Sequence, residues 1–111
     1  MEHITYEDFE KLEIRAGTII STEDFPGARK PSYKLTIDFG DKGIMKSSAQ
    51  LTKIYSKDQL VGMQIIAVVN FAPKQIANFF SECLVLGVNN KEGQVVLLSP
   101  GEKVPDGNQV Y

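Results

Sequence analysis

Alternation of apolar and polar residues marks the first strands of this chain. The clearest run is YKLTIDF, residues 33–39, in which every second residue from Tyr33 to Phe39 is apolar and the residues between are polar. Strict alternation of this kind is typical of a strand with one buried face. The following GDKG is a turn signal, and IMKSSA, residues 44–49, predicts a returning strand.

Further strands are predicted on both sides of this pair. The segment LEIRAGTIISTEDF, residues 12–25, is long and rich in β-branched residues, and we expect a bend or bulge at Gly17. QIIAVVNF, residues 64–71, is nearly continuously apolar, which predicts a strand buried on both faces. CLVLGV (83–88) and QVVLLSP (94–100) flank the polar NNKEG, and this arrangement predicts a hairpin.

Two short helical segments accompany the strands. Thr5 and Asp8 have the spacing of a capping box, which predicts a helix over residues 6–11. LTKIYSKDQLVGM, residues 51–63, has apolar residues at helical spacing and predicts either one short helix or two turns.

Together these elements predict a single all-β domain, β-rich with short helices, that spans residues 1–111. A long first strand bent at a glycine can pair in both halves and so close a barrel. We therefore expect a five-stranded Greek-key barrel of the oligonucleotide/oligosaccharide-binding (OB) fold rather than a sandwich.

Charge is distributed unevenly along the chain. Residues 1–25 hold seven acidic residues against two basic ones, residues 26–57 hold seven basic against two acidic, and the net charge of the whole is −2. Such blocks predict a surface with a positive and a negative side. The alternative is a solvated surface that binds no partner.

Composition points to a cytoplasmic protein. The chain has no apolar run of about 18 residues, so we expect no membrane insertion. The acidic N-terminal segment lacks the features of a secretory signal. Cys83 is the single cysteine and cannot form an internal disulfide, which suits a reducing compartment.

Catalytic chemistry has little support in the sequence. The single histidine, His3, lies near the N-terminus, so the residues needed for a histidine-based triad or a zinc site are almost absent. Cys83 lies in an apolar run and is interpreted as a small core residue rather than a nucleophile. A phosphate-cradling glycine loop and an acidic metal cluster are also missing. We expect a binding protein without enzymatic activity, metal or cofactor.

The link between two of the predicted strands is unusual. NFAPKQIANFFSECLVLGV, residues 70–88, places three phenylalanines and a proline beside a lysine. Phe79 and Phe80 are adjacent, so in a strand they point to opposite faces, and we expect one to be core and the other exposed. Phe71 is expected to pack under the loop.

Three segments resemble, in order and spacing, the tRNA-binding domain family: FEKLEIRAGTI, VVNFAPKQIANFFSECLVLG and VVLLSPGEKVPDG. This domain occurs at the C-terminus of some methionyl-tRNA synthetases and in endothelial monocyte-activating polypeptide. Residues 33–77 are especially similar to the CsaA-type secretion chaperones, the free-standing branch of the family. The resemblance covers about residues 8–107 and implies the OB barrel and a homodimer.

The resemblance also implies a ligand site. The tRNA-binding members have an Asn-Leu-Lys-Pro turn, then a basic pair around Met-Arg-Gly, then a serine. Asn70, Pro73 and Ser81 match the asparagine, the proline and the serine, and Lys74 or Gln75 falls at the first basic position.

Two departures from the family pattern change the expected ligand. The lysine before the proline is Ala72 here, and the arginine falls near Ala77, so two phosphate-binding cations are missing. Affinity for a polyanion scales with the phosphates neutralised. Apolar groups beside a cation favour an extended, unfolded polypeptide as the ligand.

We predict one substrate-binding site for peptide or tRNA, built from the link, from basic residues and from two serines of the third strand. Its members are Asn70, Phe71, Pro73, Lys74, Phe79, Phe80, Ser81, Arg29, Lys30, Lys34, Ser47 and Ser48. Asn70 and the two strand serines have an alternative role, which is to bind neighbouring backbone groups, and Lys74 has the alternative of an ordinary solvated lysine.

The sequence thus leads to one main hypothesis and two alternatives. The main hypothesis is a cytoplasmic, homodimeric chaperone that holds unfolded or presecretory polypeptide. The first alternative is a tRNA-binding protein that uses the same barrel face. The second is a structural dimerisation subunit of a synthetase.

Overall fold

The computed structural model describes all 111 residues and is rich in strands, with short helices between them. The helices are α1 (Tyr6–Glu10) and α2 (Lys57–Leu60), and a 3-10 turn covers Gly40–Lys42. The strands are β1 (Ile14–Asp24), β2 (Tyr33–Asp38), β3 (Ile44–Ala49), β4 (Gln64–Val68), β5 (Lys74–Ile76), β6 (Phe79–Ser81), β7 (Leu84–Val85), β8 (Gly87–Asn89) and β9 (Val95–Leu97).

Five strands form one antiparallel sheet that curls into a nearly closed barrel, in the order β3-β2-β1-β4-β7. The first part of β1 pairs with β4 and the rest pairs with β2, and Thr18 has a partner in both. A single long strand that pairs in both halves is the device that closes the sheet. The predicted five-stranded OB-type barrel is confirmed. The hairpins β5–β6 and β8–β9 lie outside this sheet.

The bend in β1 is not where the sequence predicted it. The register against β2 shifts between Ile19 and Ser21, beyond Gly17. Gly17 instead allows close packing, because a Cβ at this position would lie 2.6 Å from the ring of Phe39. The predicted bulge at Gly17 is therefore wrong, since side-chain packing and not backbone geometry selects the glycine.

The core fills the inside of the barrel. The alternating residues of the clearest predicted strand all point into it: Tyr33 is 9% exposed, Leu35 1%, Ile37 0% and Phe39 0%. This confirms the prediction of a half-buried strand and fixes the opposite face of β2 toward the surface.

Strand β4 is less enclosed than its apolar sequence suggested. Ile65 and Ala67 are fully buried in the core, and Val68 is buried on the other face. Ile66 on that second face is only half-buried. The predicted burial on both faces therefore holds at Val68 and is wrong at Ile66, because the outer face of the barrel is only partly covered there.

Both helices begin at capping boxes. Thr5 and Asp8 exchange the predicted pair of hydrogen bonds at the start of α1, and the bond from the Thr5 backbone lowers the pKa of Asp8. Ser56 and Gln59 form a second capping box at α2, which resolves the ambiguous segment as one short helix after a turn. No helix has the length and apolar character needed to cross a membrane.

Candidate binding groove

The unusual link after β4 is a β-hairpin. Strand β5 pairs with β6 so that Ile76 lies opposite Phe79, which leaves Ala77 and Asn78 as a two-residue turn. Ala77 has a φ of 55°, a left-handed conformation that a non-glycine residue adopts rarely. The glycine that usually signals such a turn is absent, so the sequence pattern predicted a loop here and not a hairpin.

Of the two adjacent phenylalanines, one is buried and the other is exposed, as the sequence predicted. Phe79 is 9% exposed and Phe80 is 55% exposed. Phe79 packs edge-on against Phe25 with the ring centroids 5.3 Å apart. The Nζ atom of Lys34 lies 4.9 Å from the Phe25 centroid and 5.4 Å from that of Phe79. Lys34 and Phe79 therefore hold the hairpin against the barrel through a cation–π contact.

Polar contacts attach the other end of the hairpin to β3. The Ser48 backbone N–H donates to Ser81 Oγ at 3.2 Å. The Lys46 backbone N–H donates to Glu82 Oε1 at 2.9 Å, and the Glu82 N–H donates back to the Lys46 carbonyl at 2.7 Å. These bonds use the free edge of β3 and orient the hairpin beside the barrel opening.

Two predicted site residues make hydrogen bonds within the fold. Ser47 is 1% exposed, and its hydroxyl donates to the Cys83 carbonyl at 3.0 Å. Asn70 accepts from the Glu13 N–H at 2.9 Å and donates to the Lys11 carbonyl at 2.8 Å. Both residues therefore make the backbone contacts that the sequence offered as the alternative to ligand binding.

A groove of about 850 Å³ lies beside the hairpin, at the opening of the barrel. It is bounded by the loop after β1, the end of β3, the strand β5, and the region from β7 to β9. Its lining residues are Gly27, Ala28, Arg29, Lys30, Ser32, Ser48, Ala49, Gln50, Leu51, Lys74, Gln75, Ile76, Ala77, Leu84, Val85, Leu86, Val95 and Leu97. No carboxylate is among them.

A second depression of about 620 Å³ continues the first and adds Phe71, Ala72, Ser81, Glu82 and Cys83. Both parts are lined by Ser48, Gln50, Lys74, Ile76 and Leu84. Lys74 and Ile76 lie on one face of β5, since alternate residues of a strand share a face. The two depressions therefore adjoin each other beside β5, and we refer to them together below as the groove.

The groove contains half of the predicted site. The predicted residues that line it are Arg29, Lys30, Ser48, Phe71, Lys74 and Ser81. Pro73 and Phe80 are exposed outside it, and Lys34 and Phe79 hold the hairpin. Phe71 is 52% exposed, so its predicted burial is wrong. The hairpin packs against β3 and leaves the ring of Phe71 uncovered.

The aliphatic floor of the groove was not among the predicted site residues. Leu51, Leu84, Val85, Val95 and Leu97 were interpreted as members of core segments, yet they also line the groove. A strand beside the barrel opening has the same apolar pattern as a fully enclosed one, so the pattern alone carries no signal for this role.

The basic residues of the groove have no acidic partners. Arg29, Lys30 and Lys74 are exposed, and none belongs to the four ion pairs of the structure. The groove therefore carries uncompensated positive charge beside an apolar floor.

Cys83 lies at one end of the groove, and its thiol is unreactive. The residue is 6% exposed, and burial raises the pKa of its thiol to about 12. The thiol is therefore neutral at ordinary pH, which is not the state of a nucleophile. No group of three His, Cys, Asp or Glu side chains is placed to hold a metal ion.

A small OB-type barrel that carries a basic and apolar groove is typical of a domain that binds a ligand. Residues 14–109 match the family described as a putative tRNA binding domain. The chain belongs to this family of tRNA-binding domains, as its motifs indicated.

Two solved structures match almost the whole chain. The chaperone CsaA from Bacillus anthracis str. Ames is 47% identical with a TM-score of 0.93, and the match covers 99% of this chain and 100% of that one. The CsaA chaperone protein from Picrophilus torridus is 54% identical with a TM-score of 0.91, over 98% of this chain and 100% of that one. The resemblance to CsaA-type proteins is confirmed.

The chain also matches part of a much longer enzyme. It is 33% identical to the methionine–tRNA ligase of Thermococcus onnurineus over 110 residues, which is 99% of this chain and 15% of the ligase. The chain thus spans about 15% of the length of this relative.

Proposed function

We propose that the protein is a non-enzymatic, cytoplasmic chaperone that holds unfolded polypeptides, including polypeptides awaiting export, in the groove. The observation that carries this proposal is the full-length similarity to two CsaA chaperone structures, at 47% and 54% identity. The groove supports it, because its aliphatic floor suits the apolar side chains that an unfolded chain exposes.

The energetics of the groove suit reversible holding. Full burial of one Val, Leu, Ile or Phe side chain contributes roughly 1.5–3 kcal/mol. Three such side chains contribute roughly 5–9 kcal/mol, and ordering of the bound chain offsets a part of this gain. The remaining free energy corresponds to a dissociation constant above about 1 μM for each groove. A client held at this strength dissociates without an energy-consuming step.

Two exposed phenylalanines allow a direct test of the site. Phe71 lines the groove, and Phe80 is not among its lining residues although it has nearly the same exposure. We expect Phe71→Ser to weaken suppression of the aggregation of a chemically denatured client by about three- to tenfold in required concentration, since an exposed ring gains only part of the burial free energy. Phe80→Ser, the matched control, should retain wild-type suppression.

The outcomes of this assay separate the possible sites. Thermal melts of both variants must stay close to wild type, so that loss of activity is not loss of fold. An effect of Phe80→Ser alone would move the site to the outer face of the hairpin. Failure of the wild-type protein to suppress aggregation at tenfold molar excess would reject the chaperone function.

Binding of tRNA is the second candidate, and the family match favours it. The groove offers Arg29, Lys30 and Lys74 to phosphates, and alanines stand at positions 72 and 77 where family members carry cations. Three phosphate contacts predict that log K falls with log salt with a slope of about −2 to −3. A gel-shift titration of bulk tRNA from 50 to 300 mM salt measures this slope. Tight binding without salt dependence would contradict recognition by these three cations.

A further inference from the structure

The groove is electrostatically asymmetric along its length. Arg29 and Lys30 lie at one end, in the loop after β1, and Lys74 lies in the middle. The only carboxylate, Glu82, is at the far end and accepts the Lys46 backbone N–H at 2.9 Å. An anionic ligand is therefore attracted mainly to the Arg29 and Lys30 end, where no carboxylate lines the groove.

The floor beside these cations is aliphatic. Leu51, Val85 and Leu97 form part of it, and the larger section of the groove has no aromatic lining residue. Phe25 and Phe79 pack against each other under Lys34, and the exposed ring of Phe71 lines only the second section. Single-stranded nucleic acids bind OB barrels by stacking bases on exposed aromatic rings. This section offers charge to a nucleic acid but no stacking surface.

Building on the proposed function, we propose that the groove selects extended polypeptide segments in which aliphatic side chains are flanked by Asp or Glu. The carboxylates contact Arg29 and Lys30, and the aliphatic side chains lie on the floor around Leu84 and Val85. Arginine suits this role because its guanidinium can bind a carboxylate through two hydrogen bonds. The groove thus distinguishes among unfolded segments by charge as well as by hydrophobicity.

The two parts of this recognition respond differently to salt. Exposed ion pairs weaken as salt rises, because the Debye length falls from about 10 Å at 0.1 M to about 3 Å at 1 M. Burial of aliphatic side chains does not weaken under the same conditions. The preference for acidic segments should therefore disappear at high salt while the binding itself remains.

The test uses three fluorescein-labelled peptides of about twelve residues with identical leucine and valine content. One carries aspartates at the flanks, one serines and one lysines. Fluorescence anisotropy at 50 mM salt should show the acidic peptide binding about three- to tenfold more tightly than the serine peptide, as expected for two exposed ion pairs. The lysine peptide should bind more weakly than either. At 1 M salt the three affinities should agree within about twofold.

Two double variants with equal change in net charge locate the effect. In Arg29→Glu/Lys30→Glu the preference for the acidic peptide should vanish or reverse. In the control, Lys91→Glu/Lys103→Glu, the substituted lysines are exposed and lie outside the groove, and the preference should persist. All four positions are exposed, so both variants should fold, which far-UV circular dichroism checks.

Equal binding of the acidic and serine peptides by the wild type would overturn the inference, and so would a preference that survives the double reversal at Arg29 and Lys30. Tighter binding of a twelve-nucleotide single-stranded DNA than of the acidic peptide would also overturn it. If aggregation suppression persists in these cases, only the preference for acidic segments is rejected and the proposed chaperone function is not. No binding of any peptide together with no suppression would reject both.

Discussion

Two neighbouring phenylalanines show what the sequence determines at the level of a residue. Adjacent positions in a strand face opposite ways, so the sequence predicted one core ring and one exposed ring. Which ring is which depends on Phe25 and Lys34, which come from distant parts of the chain and pack on Phe79. That choice is a tertiary contact, and no local pattern encodes it.

Substitution of each ring by serine should separate the two roles. Phe79→Ser removes a buried ring and should lower the free energy of unfolding by at least about 3 kcal/mol. Phe80→Ser removes an exposed ring and should change it by less than about 0.5 kcal/mol. Urea unfolding curves measure both values. Similar destabilisation by the two substitutions would contradict the observed packing.

Cys83 gives a pH-dependent prediction. Its thiol has a pKa of about 12 in the fold, mainly through burial, against an ordinary value of 9.0. Above pH 9 the unfolded chain loses this proton while the folded chain keeps it, so the unfolded state binds fewer protons. The contribution of Cys83 to stability is therefore full below about pH 9 and declines as the pH rises toward 12.

Comparison with Cys83→Ala isolates this contribution, because the other titrating groups are common to both proteins. The difference in unfolding free energy between wild type and Cys83→Ala should be constant from pH 6 to 8 and should shift against the wild type above pH 9. A thiol reagent at pH 8 should react with the folded protein far more slowly than with the unfolded chain. Rapid labelling of the folded protein would show that the thiol is not buried.

At the level of elements, strands with alternating residues were predicted well. Strand β2 and the capped helix α1 follow local patterns that the structure confirms. The hairpin predicted from residues 83–88 and 94–100 is confirmed only over β8 and β9, because Leu84–Val85 form the separate strand β7, which pairs with β4. The β5–β6 hairpin was missed because its turn is Ala77-Asn78 and contains no glycine. Next to the turn, Phe79 packs against Phe25 and Lys34, and this contact holds the hairpin against the barrel.

The left-handed turn residue predicts a stabilising substitution. Ala77 has a φ of 55°, which costs an L-residue about 1–2 kcal/mol, whereas glycine adopts this conformation readily. Glycine also adds freedom to the unfolded chain, which offsets about 0.4–1 kcal/mol. Ala77→Gly should therefore raise the free energy of unfolding by about 0.5 kcal/mol in urea unfolding.

Ala72→Gly is the matched control, because Ala72 is exposed and has no positive φ. It should lower stability by about 0.4–1 kcal/mol through the unfolded-state term alone. Equal destabilisation by both glycine substitutions would mean that the Ala77 turn stores no strain.

At the level of the whole molecule, the sequence predicted the barrel but not the shape of the candidate groove. Arg29 and Lys30 were candidates because they lie in the basic block of residues 26–57, and Lys74 because it matches a basic position of the family motif. The groove between them exists because the hairpin is hydrogen-bonded to β3 beside a barrel that is not fully closed. Such openings arise from the closure of the sheet and leave no signature in the spacing of residues.

A second apolar surface on the outside of the barrel leads to a prediction about assembly. A depression of about 550 Å³ is lined by Ala16, Ile66, Leu98, Val110 and other residues near the C-terminus, and it shares no residue with the groove. Exposed apolar patches of this kind are typical of interfaces. We propose a two-fold homodimer through this face, with α1 and the C-terminal segment as contacts.

Light scattering coupled to gel filtration at micromolar concentration should give twice the 12.3 kDa mass of the chain. Leu98→Asp places an unpaired charge in the proposed interface and should produce the monomer, because burying that charge without a partner is costly. Val88→Asp, at an exposed apolar position outside both surfaces, should remain dimeric. A wild-type mass of one chain would exclude the dimer, and a Leu98→Asp protein that stays dimeric would place the contact elsewhere.

The dimer should also affect chaperone activity, because it carries two grooves. The monomeric variant should suppress client aggregation less well per chain than wild type, since avidity is lost while each groove stays intact.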